Sequence, residues 1–415
     1  MKYSEAEMLD LFTSMVKIDT TNPGRDERPL VDFIGSILDS HGIGYEVVEP
    51  MPGRANIVAR IGASAGRPVA LISHLDVVGC EHQKWTHPPF SATEADGLIY
   101  GRGTLDTKYL TAMQLIAFLE CADLDLPFPL YFIATADEEQ GSTHGMPRVV
   151  EAFGEELKYA RTINEGGGFF IQNGGEAYYL CTVGEKGRCD VSVAIEGASG
   201  PASFKTEGKA VDMFSALVKR MAEYEFPMVK TRTFRRFDEV VGNLFDNRFL
   251  EKFAWYNSHD AFILKEYGIG KQVNVLPHSI RFDFSLQLLP GRSFEDAVGI
   301  LDGIFADMEN VSYTIKEFLP GFESSCDSDF YRTMETLARE YYHCEALVPV
   351  YALGRTDGRF LGPLPADVYG FSPVTKTIPF EKVLTLVHQV DEHIDRDSVP
   401  TGVRFLIELI KRSGS

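Results

Sequence analysis

Apolar positions along the first part of the chain switch between two periods. Leu9, Leu11, Phe12, Met15, Val16 and Ile18 recur at helical spacing and predict a first helix, stopped by the turn-forming run Thr20-Thr21-Asn22-Pro23-Gly24. A second helix is expected over about 29–40. Short strand-like runs follow at 45–48, 55–61, 68–73 and 130–135. The middle two are nearly continuously apolar, as strands buried on both faces are. After Asp106 helical spacing returns, with Leu110, Met113, Ile116 and Ala117 expected on one side. Strand–helix alternation of this kind predicts an α/β sandwich.

The pattern changes near Gly184-Glu185-Lys186-Gly187. Residues 189–195 alternate as a half-buried strand, with Val191, Val193 and Ile195 on one face. A helix is expected over about 209–224, then an irregular segment rich in Phe, Arg and Asp. Strands at 272–276 and 279–288, a helix over about 293–308 and a strand at 311–318 complete the set. Strand, helix, two strands, helix, strand is the ferredoxin-like order. The expected organisation is a first domain begun by 1–185, an inserted α+β domain at 186–318, and a return to the first domain at 319–415. That return requires His388 to come near His74.

Composition narrows the function classes. A chain of 415 residues is long for one core, and 44% hydrophobic residues argue against a disordered chain. Forty Lys and Arg against 60 Asp and Glu give a net charge of −20. That balance, with no basic stripe to reverse it locally, argues against nucleic acid or an anionic membrane as partner. No run approaches the roughly 18–20 apolar residues needed to span a bilayer, and no signal peptide is expected at residues 1–7. Six cysteines without a CxxC pair are expected to be reduced thiols, and the location cytoplasmic.

Residue types suited to a pair of borderline cations punctuate the pattern in order. His74 ends the run Val69-Ala70-Leu71-Ile72, with Asp76 two residues on. Asp106 closes Gly101-Arg102-Gly103-Thr104-Leu105-Asp106, and Asp137-Glu138-Glu139 ends Leu130-Tyr131-Phe132-Ile133-Ala134. Glu165 follows Ile163-Asn164, and His388 lies late, in Leu384-Thr385-Leu386-Val387-His388-Gln389-Val390-Asp391-Glu392. Ligands of open α/β sheets gather at the carboxyl ends of strands, where several of these residues fall. Each has a plainer explanation taken alone. His74 and Asp76 make a hydrogen-bonded pair, Asp106 a helix N-cap, the three acids a solvated turn, Glu165 an incidental charge in a glycine turn, and His388 a core histidine. Their joint order favours a two-metal hydrolase with one glutamate left free as general base.

With these residues assembled, the chain resembles the di-zinc exopeptidase and amidohydrolase family of aminoacylase, carboxypeptidase S, acetylornithine deacetylase and succinyl-diaminopimelate desuccinylase (metallopeptidase family twenty). The likeness runs nearly end to end, through Asp19-Thr20-Thr21-Asn22-Pro23, Ser73-His74-Leu75-Asp76-Val77-Val78, Val183-Gly184-Glu185-Lys186-Gly187, Asn274-Val275-Leu276-Pro277 and Leu288-Leu289-Pro290-Gly291. Thr356-Asp357-Gly358-Arg359 and Gly370-Phe371-Ser372-Pro373 look nearest the aminoacylase and carboxypeptidase S branch. The resemblance implies a zinc-exopeptidase-like α/β/α catalytic domain with an inserted ferredoxin-like α+β lid and dimerisation domain. It implies two Zn2+ ions per subunit, with Co2+ or Mn2+ as substitutes. His74 and Glu165 would hold one ion, Glu139 and His388 the other, and Asp106 would bridge them. Glu138 would be the general base, with Asp76 supporting His74. Arg359 would pair with a substrate carboxylate, and Asn274 would contact the substrate or the developing oxyanion. The implied reaction is hydrolysis of an amide or peptide bond next to a free carboxylate. An N-acyl amino acid and a short peptide (dipeptidase or carboxypeptidase action) stay open as substrates, and a homodimer through the inserted domain is expected.

Five positions depart from the family pattern. Pro201, in Ala198-Ser199-Gly200-Pro201-Ala202, stands where the family has a histidine that helps polarise the scissile carbonyl, and a prolyl ring donates no hydrogen bond. Losing one oxyanion donor costs on the order of 100- to 1000-fold in rate. Ser285-Leu286-Gln287 replaces the usual Asp-x-Arg, Asn164 stands where an aspartate is common, and Thr107 follows Asp106. The alternative expectation is therefore a metal-binding family member with weak or no hydrolase activity.

Overall fold

The computed structural model describes residues 1–81, 83–198, 207–242, 246–269 and 278–414. Pro201, Asn274 and the strand expected at 272–276 lie outside the described residues. The chain divides into two compact units, one of Met1–Gly184, Arg235–Glu251 and Glu323–Ser415, the other of Glu185–Phe234 and Lys252–Phe322. The stretch 235–251, expected inside the insertion, thus groups with the first unit.

The first unit is built on a mixed sheet. Its strands run in the order Tyr45–Met51, Arg54–Gly62, Pro129–Thr135, Val69–His74, Arg161–Asn164, Asp367–Gly370 and Glu176–Glu185. The four strands from Pro129–Thr135 to Asp367–Gly370 are mutually parallel, so their carboxyl ends share one edge. Val69–His74 and Pro129–Thr135 are buried along their whole length, as their unbroken apolar runs require. Helix Lys108–Glu120 departs from its expected one-sided pattern, because Lys108 to Leu119 are all buried. It packs on Val69–His74 and Pro129–Thr135 and is covered by helices Glu5–Lys17 and Ser398–Arg412. A helix enclosed on all sides needs no polar face.

The second unit has the four-stranded antiparallel order Ala261–Ile269, Ser279–Leu288, Gly187–Glu196, Val311–Leu319. With helices Ala210–Ala222 and Phe294–Phe305 between strands, this is the ferredoxin-like arrangement. Its core alternates along the strands, with Val191, Val193 and Ile195 meeting Ile280, Phe282, Phe284 and Leu286 under Leu217, Leu301 and Ile304. The segment expected to be irregular instead holds two helices, Arg232–Val241 and Arg248–Tyr256, and the strand Ala261–Ile269. A register shift between Leu264 and Glu266 breaks that strand's alternation, which hid it from a period-two search. Among the described residues no helix is long and apolar enough to cross a membrane.

Candidate metal centre

Three of the adjacent parallel strands deliver chemistry to one edge. His74 is the last residue of its strand and stands in register with Thr135. The neighbouring strand runs on into a one-turn helix, Glu138–Gln140, and Glu165 follows the strand Arg161–Asn164 directly. Asp137 has a left-handed backbone (φ 65°), which a short polar side chain tolerates. Its carboxylate accepts from Asn22 Nδ2 and from the His144 N–H, both at 3.0 Å, and so serves the turn. Asp106 is not the N-cap of the following helix. Thr107 holds that position without a side-chain cap bond, so both Asp106 oxygens are available. His388 lies between the short helix Phe380–Val383 and the strand His393–Asp395, also with a left-handed backbone (φ 62°).

These residues converge. His74 Nε2 lies 3.0 Å from Asp106 Oδ1 and 3.5 Å from Glu165 Oε2. His388 Nε2 lies 3.0 Å from Asp106 Oδ2 and 3.3 Å from Glu139 Oε2. Asp106 therefore offers one oxygen to each histidine. His74, Asp106 and Glu139 also form a group whose ligand atoms fall within 4.8 Å of one another, as do His74, Glu138 and Glu165.

The donor set fits a cation pair. Ligand atoms around a tetrahedral zinc with bonds of about 2.0–2.1 Å stand about 3.3 Å apart, close to the separations found here. Glu139 Oε1 is buried without a hydrogen-bond partner, a costly arrangement unless a positive charge faces it. Burial raises the Glu139 and Glu165 carboxyls above their ordinary range, only partly offset by the imidazoles. Glu138 is pushed well up, by burial first and Glu165 second. Burial opposes a charge on His74, yet Glu165, Asp106 and Asp76 outweigh it and hold its imidazole well above the usual value. Hydrogen bonds to Asp106 and Glu139 raise His388 to about 10. Buried carboxylates crowded around two imidazoles are groups positioned for cations.

The surrounding groups show how Asp76 and Arg359 are held. His74 Nδ1 bonds the Asp76 backbone carbonyl at 2.9 Å, whereas the Asp76 carboxylate is 3.6 Å away. That carboxylate instead accepts the N–H groups of Glu138 and Glu139, each at 3.1 Å, and Asn22 Nδ2 at 3.0 Å. Arg359 Nη1 donates to Thr356 O at 2.7 Å and lies 3.7 Å from Glu138 Oε1. Its Nη2 donates to Gly141 O and Ser142 Oγ, both at 3.1 Å. The guanidinium is thus braced by the protein rather than presented as an open fork. Asp357, buried, accepts from Thr135 Oγ1 and Ser142 Oγ at 2.5 and 2.6 Å and anchors that brace. Asn22 and Asp357, which hold the turns beside the centre, are marked in the sequence only by the motifs quoted around them.

Fold and centre together define a metallohydrolase. The chain belongs to peptidase family M20/M25/M40, whose profile matches residues 70–412. It is 26% identical to the N-fatty-acyl-amino acid synthase/hydrolase of Homo sapiens, over 96% of this chain and 84% of that one. It is 27% identical to a probable succinyl-diaminopimelate desuccinylase of Staphylococcus epidermidis, over 95% and 94%. Among solved structures, a family M20 metallo-carboxypeptidase from Sulfolobus solfataricus superposes with a TM-score of 0.73, over 98% of each chain. At 16% identity that likeness is one of fold.

Proposed function

We propose that this chain is a zinc hydrolase that cuts an amide bond beside a free carboxylate, with N-acyl amino acids as its substrates ahead of short peptides. The observation that carries the reading is Asp106, whose two oxygens each face a histidine at 3.0 Å. In this reading His74 and Glu165 would hold one Zn2+ and Glu139 and His388 the other, with Asp106 offering one oxygen to each side. Bound there, the cations supply carbonyl polarisation and a more acidic water.

The chain's own residues carry the proton. Glu138, whose raised affinity for a proton comes mainly from burial, takes one from the attacking water and returns it to the leaving nitrogen as the C–N bond breaks. Asp76 fixes the turn on which Glu138 and Glu139 stand. Arg359 contributes a fixed positive charge beside Glu138, and we assign substrate carboxylate recognition to that charge rather than to a bidentate clamp. Asn274 is assigned as a substrate contact on the family pattern alone. The relatives' names, N-fatty-acyl-amino acid synthase/hydrolase and succinyl-diaminopimelate desuccinylase, incline the choice towards an acyl group on an amino acid. A homodimer through the second unit and a cytoplasmic location complete the proposal. The outermost strand Ala261–Ile269, with exposed Ile263 and Leu264, and the buried thiols of Cys121, Cys181 and Cys189 support them.

The test is a panel of N-acyl amino acids with short and long acyl groups, their carboxyl amides, and dipeptides, with product detection by mass spectrometry. Turnover of the free acids, its loss with chelator and its return with Zn2+ are expected, beside a count of two metals per chain. Equal turnover by metal-free protein, or two bound metals with no turnover of any substrate, would overturn the reading.

A further inference from the structure

Glu392 lies four residues after His388, and its side chain is fully buried. Its Oε1 accepts three main-chain N–H groups, from Gly103 at 3.0 Å, Leu105 at 2.7 Å and Asp106 at 3.1 Å. Its Oε2 pairs with Arg102 Nη1, and its backbone carbonyl accepts the Gly101 N–H at 2.9 Å. Arg102 Nη1 also donates to the carbonyl of Gln389, the residue after His388, at 3.3 Å. One glutamate thus grips the whole segment 101–106 and ties it to the loop carrying His388. The last of its three N–H donors belongs to Asp106 itself.

The two halves of the centre do not depend on this tie equally. His74 ends a strand with parallel neighbours on both sides, and its side chain is 1% exposed. Glu165 follows such a strand directly. His388 belongs to no strand or helix, has a left-handed backbone, and its side chain is 46% exposed. Besides the pairing of His393 with Tyr100, the contacts of Glu392 and Arg102 tie its loop to the segment of Asp106.

We propose that Glu392 is a positioning residue that sets the affinity of the cation site made by His388 and Glu139, while leaving the site of His74 and Glu165 nearly unchanged. The proposal rests on the ligand assignment of the preceding section. Truncation to alanine leaves three buried N–H groups without their acceptor and Arg102 without its carboxylate, whereas glutamine keeps one oxygen for the N–H groups but turns an NH2 towards Arg102. The segment 101–106 and the His388 loop then lose their side-chain tie, with the backbone contacts of Tyr100 and Gly101 left to hold them. Groups that orient metal ligands in this way typically contribute about 10- to 100-fold to metal affinity.

The experiment titrates metal-free protein with Co2+, followed by visible absorption, and with Zn2+ by calorimetry. It compares wild type with Glu392→Gln, Glu392→Ala and the control Asp391→Asn. Asp391 ties the same loop elsewhere, to Thr86 N and Oγ1 at 2.8 and 2.7 Å, and asparagine tolerates its left-handed backbone. Circular dichroism and thermal unfolding of the metal-free forms accompany each titration. Wild type is expected to bind two ions. Glu392→Gln should bind one as before and the second about 10- to 100-fold more weakly, Glu392→Ala should lose more, and Asp391→Asn should match wild type. Equal weakening of both ions, no weakening in a folded Glu392→Gln, or the same loss in Asp391→Asn overturns the proposal. Unfolding of both metal-free Glu392 variants also overturns it, since the residue would then hold the fold rather than one site. Wild type that binds no ions at all would instead remove the ligand assignment, and this proposal with it.

Discussion

The Glu138 backbone N–H donates to Asp76 Oδ1 at 3.1 Å, and the Glu139 N–H donates to Oδ2 of the same carboxylate at the same distance. Asp76 therefore controls the acidic turn, while its carbonyl orients His74. In Asp76→Asn one acceptor becomes an NH2 group facing a backbone donor or the Asn22 amide. We expect kcat to fall about 10- to 100-fold with little change in KM. Steady-state kinetics beside a metal count check this. A variant that instead loses only the metal of His74 would show that the imidazole, not the turn, depends on this carboxylate.

Glu138 is close enough to His74 and Glu165 to be grouped with them as a ligand, yet its separate charge contact is with Arg359 at 3.7 Å. As proton carrier, it should be dispensable for metal binding. Glu138→Gln is expected to keep both metals and its thermal stability, and to lose about 100- to 10,000-fold in kcat. Loss of one metal per chain would make Glu138 a ligand instead.

Much of the frame could be read from the chain because buried parallel strands write themselves as unbroken apolar runs. Val69–His74 and Pro129–Thr135 are such runs, and the acids and histidine at their ends mark the working edge. Helix Arg232–Val241 is not expected from the sequence: Phe234, Phe237 and Val241 fall three and four residues apart and are buried, but the charges between them read as irregular. Glu392 left no local signal. Its acceptors' partners lie 286 to 290 positions away and most are backbone N–H groups, which no side-chain pattern encodes. The use of the Asp76 carboxylate was hidden for the same reason. A spacing of His-x-Asp suggests a side-chain pair, and only the fold shows that the turn's N–H groups claim both oxygens.

Glu27 makes the stability of the first unit depend on pH. It is fully buried beside Arg54, and burial, with Asp76 adding to it, raises its carboxyl to about 7. A carboxyl whose folded value lies above its unfolded value stabilises the fold below about pH 4.5, and that contribution is lost as pH rises through about 7. Each unit of displacement corresponds to about 1.4 kcal/mol. Glu27→Gln removes the titration and keeps an acceptor for Arg54. Between pH 5 and 8 the wild-type Tm should fall relative to the variant by about 2–4 °C. Thermal scans on metal-free protein keep pH-dependent metal release out of the comparison. Parallel curves for the two proteins would show that Arg54 keeps Glu27 ionised throughout.

Arg359 separates charge recognition from bracing. Its terminal nitrogens are committed to Thr356 O, Gly141 O and Ser142 Oγ, so a substrate carboxylate would be drawn by the charge. Arg359→Met should therefore lower kcat/KM for a free N-acyl amino acid by about 10- to 100-fold, the worth of about 1.5–3 kcal/mol for a contact to a charged group. The same acyl amino acid capped as its carboxyl amide has no charge to recognise and should lose little. Arg359→Lys keeps the charge without the planar fork and should fall between wild type and Arg359→Met for the acid. Equal losses for acid and amide in both variants would mean that Arg359 acts by holding the 138–142 turn, and carboxylate recognition would then have to come from another residue.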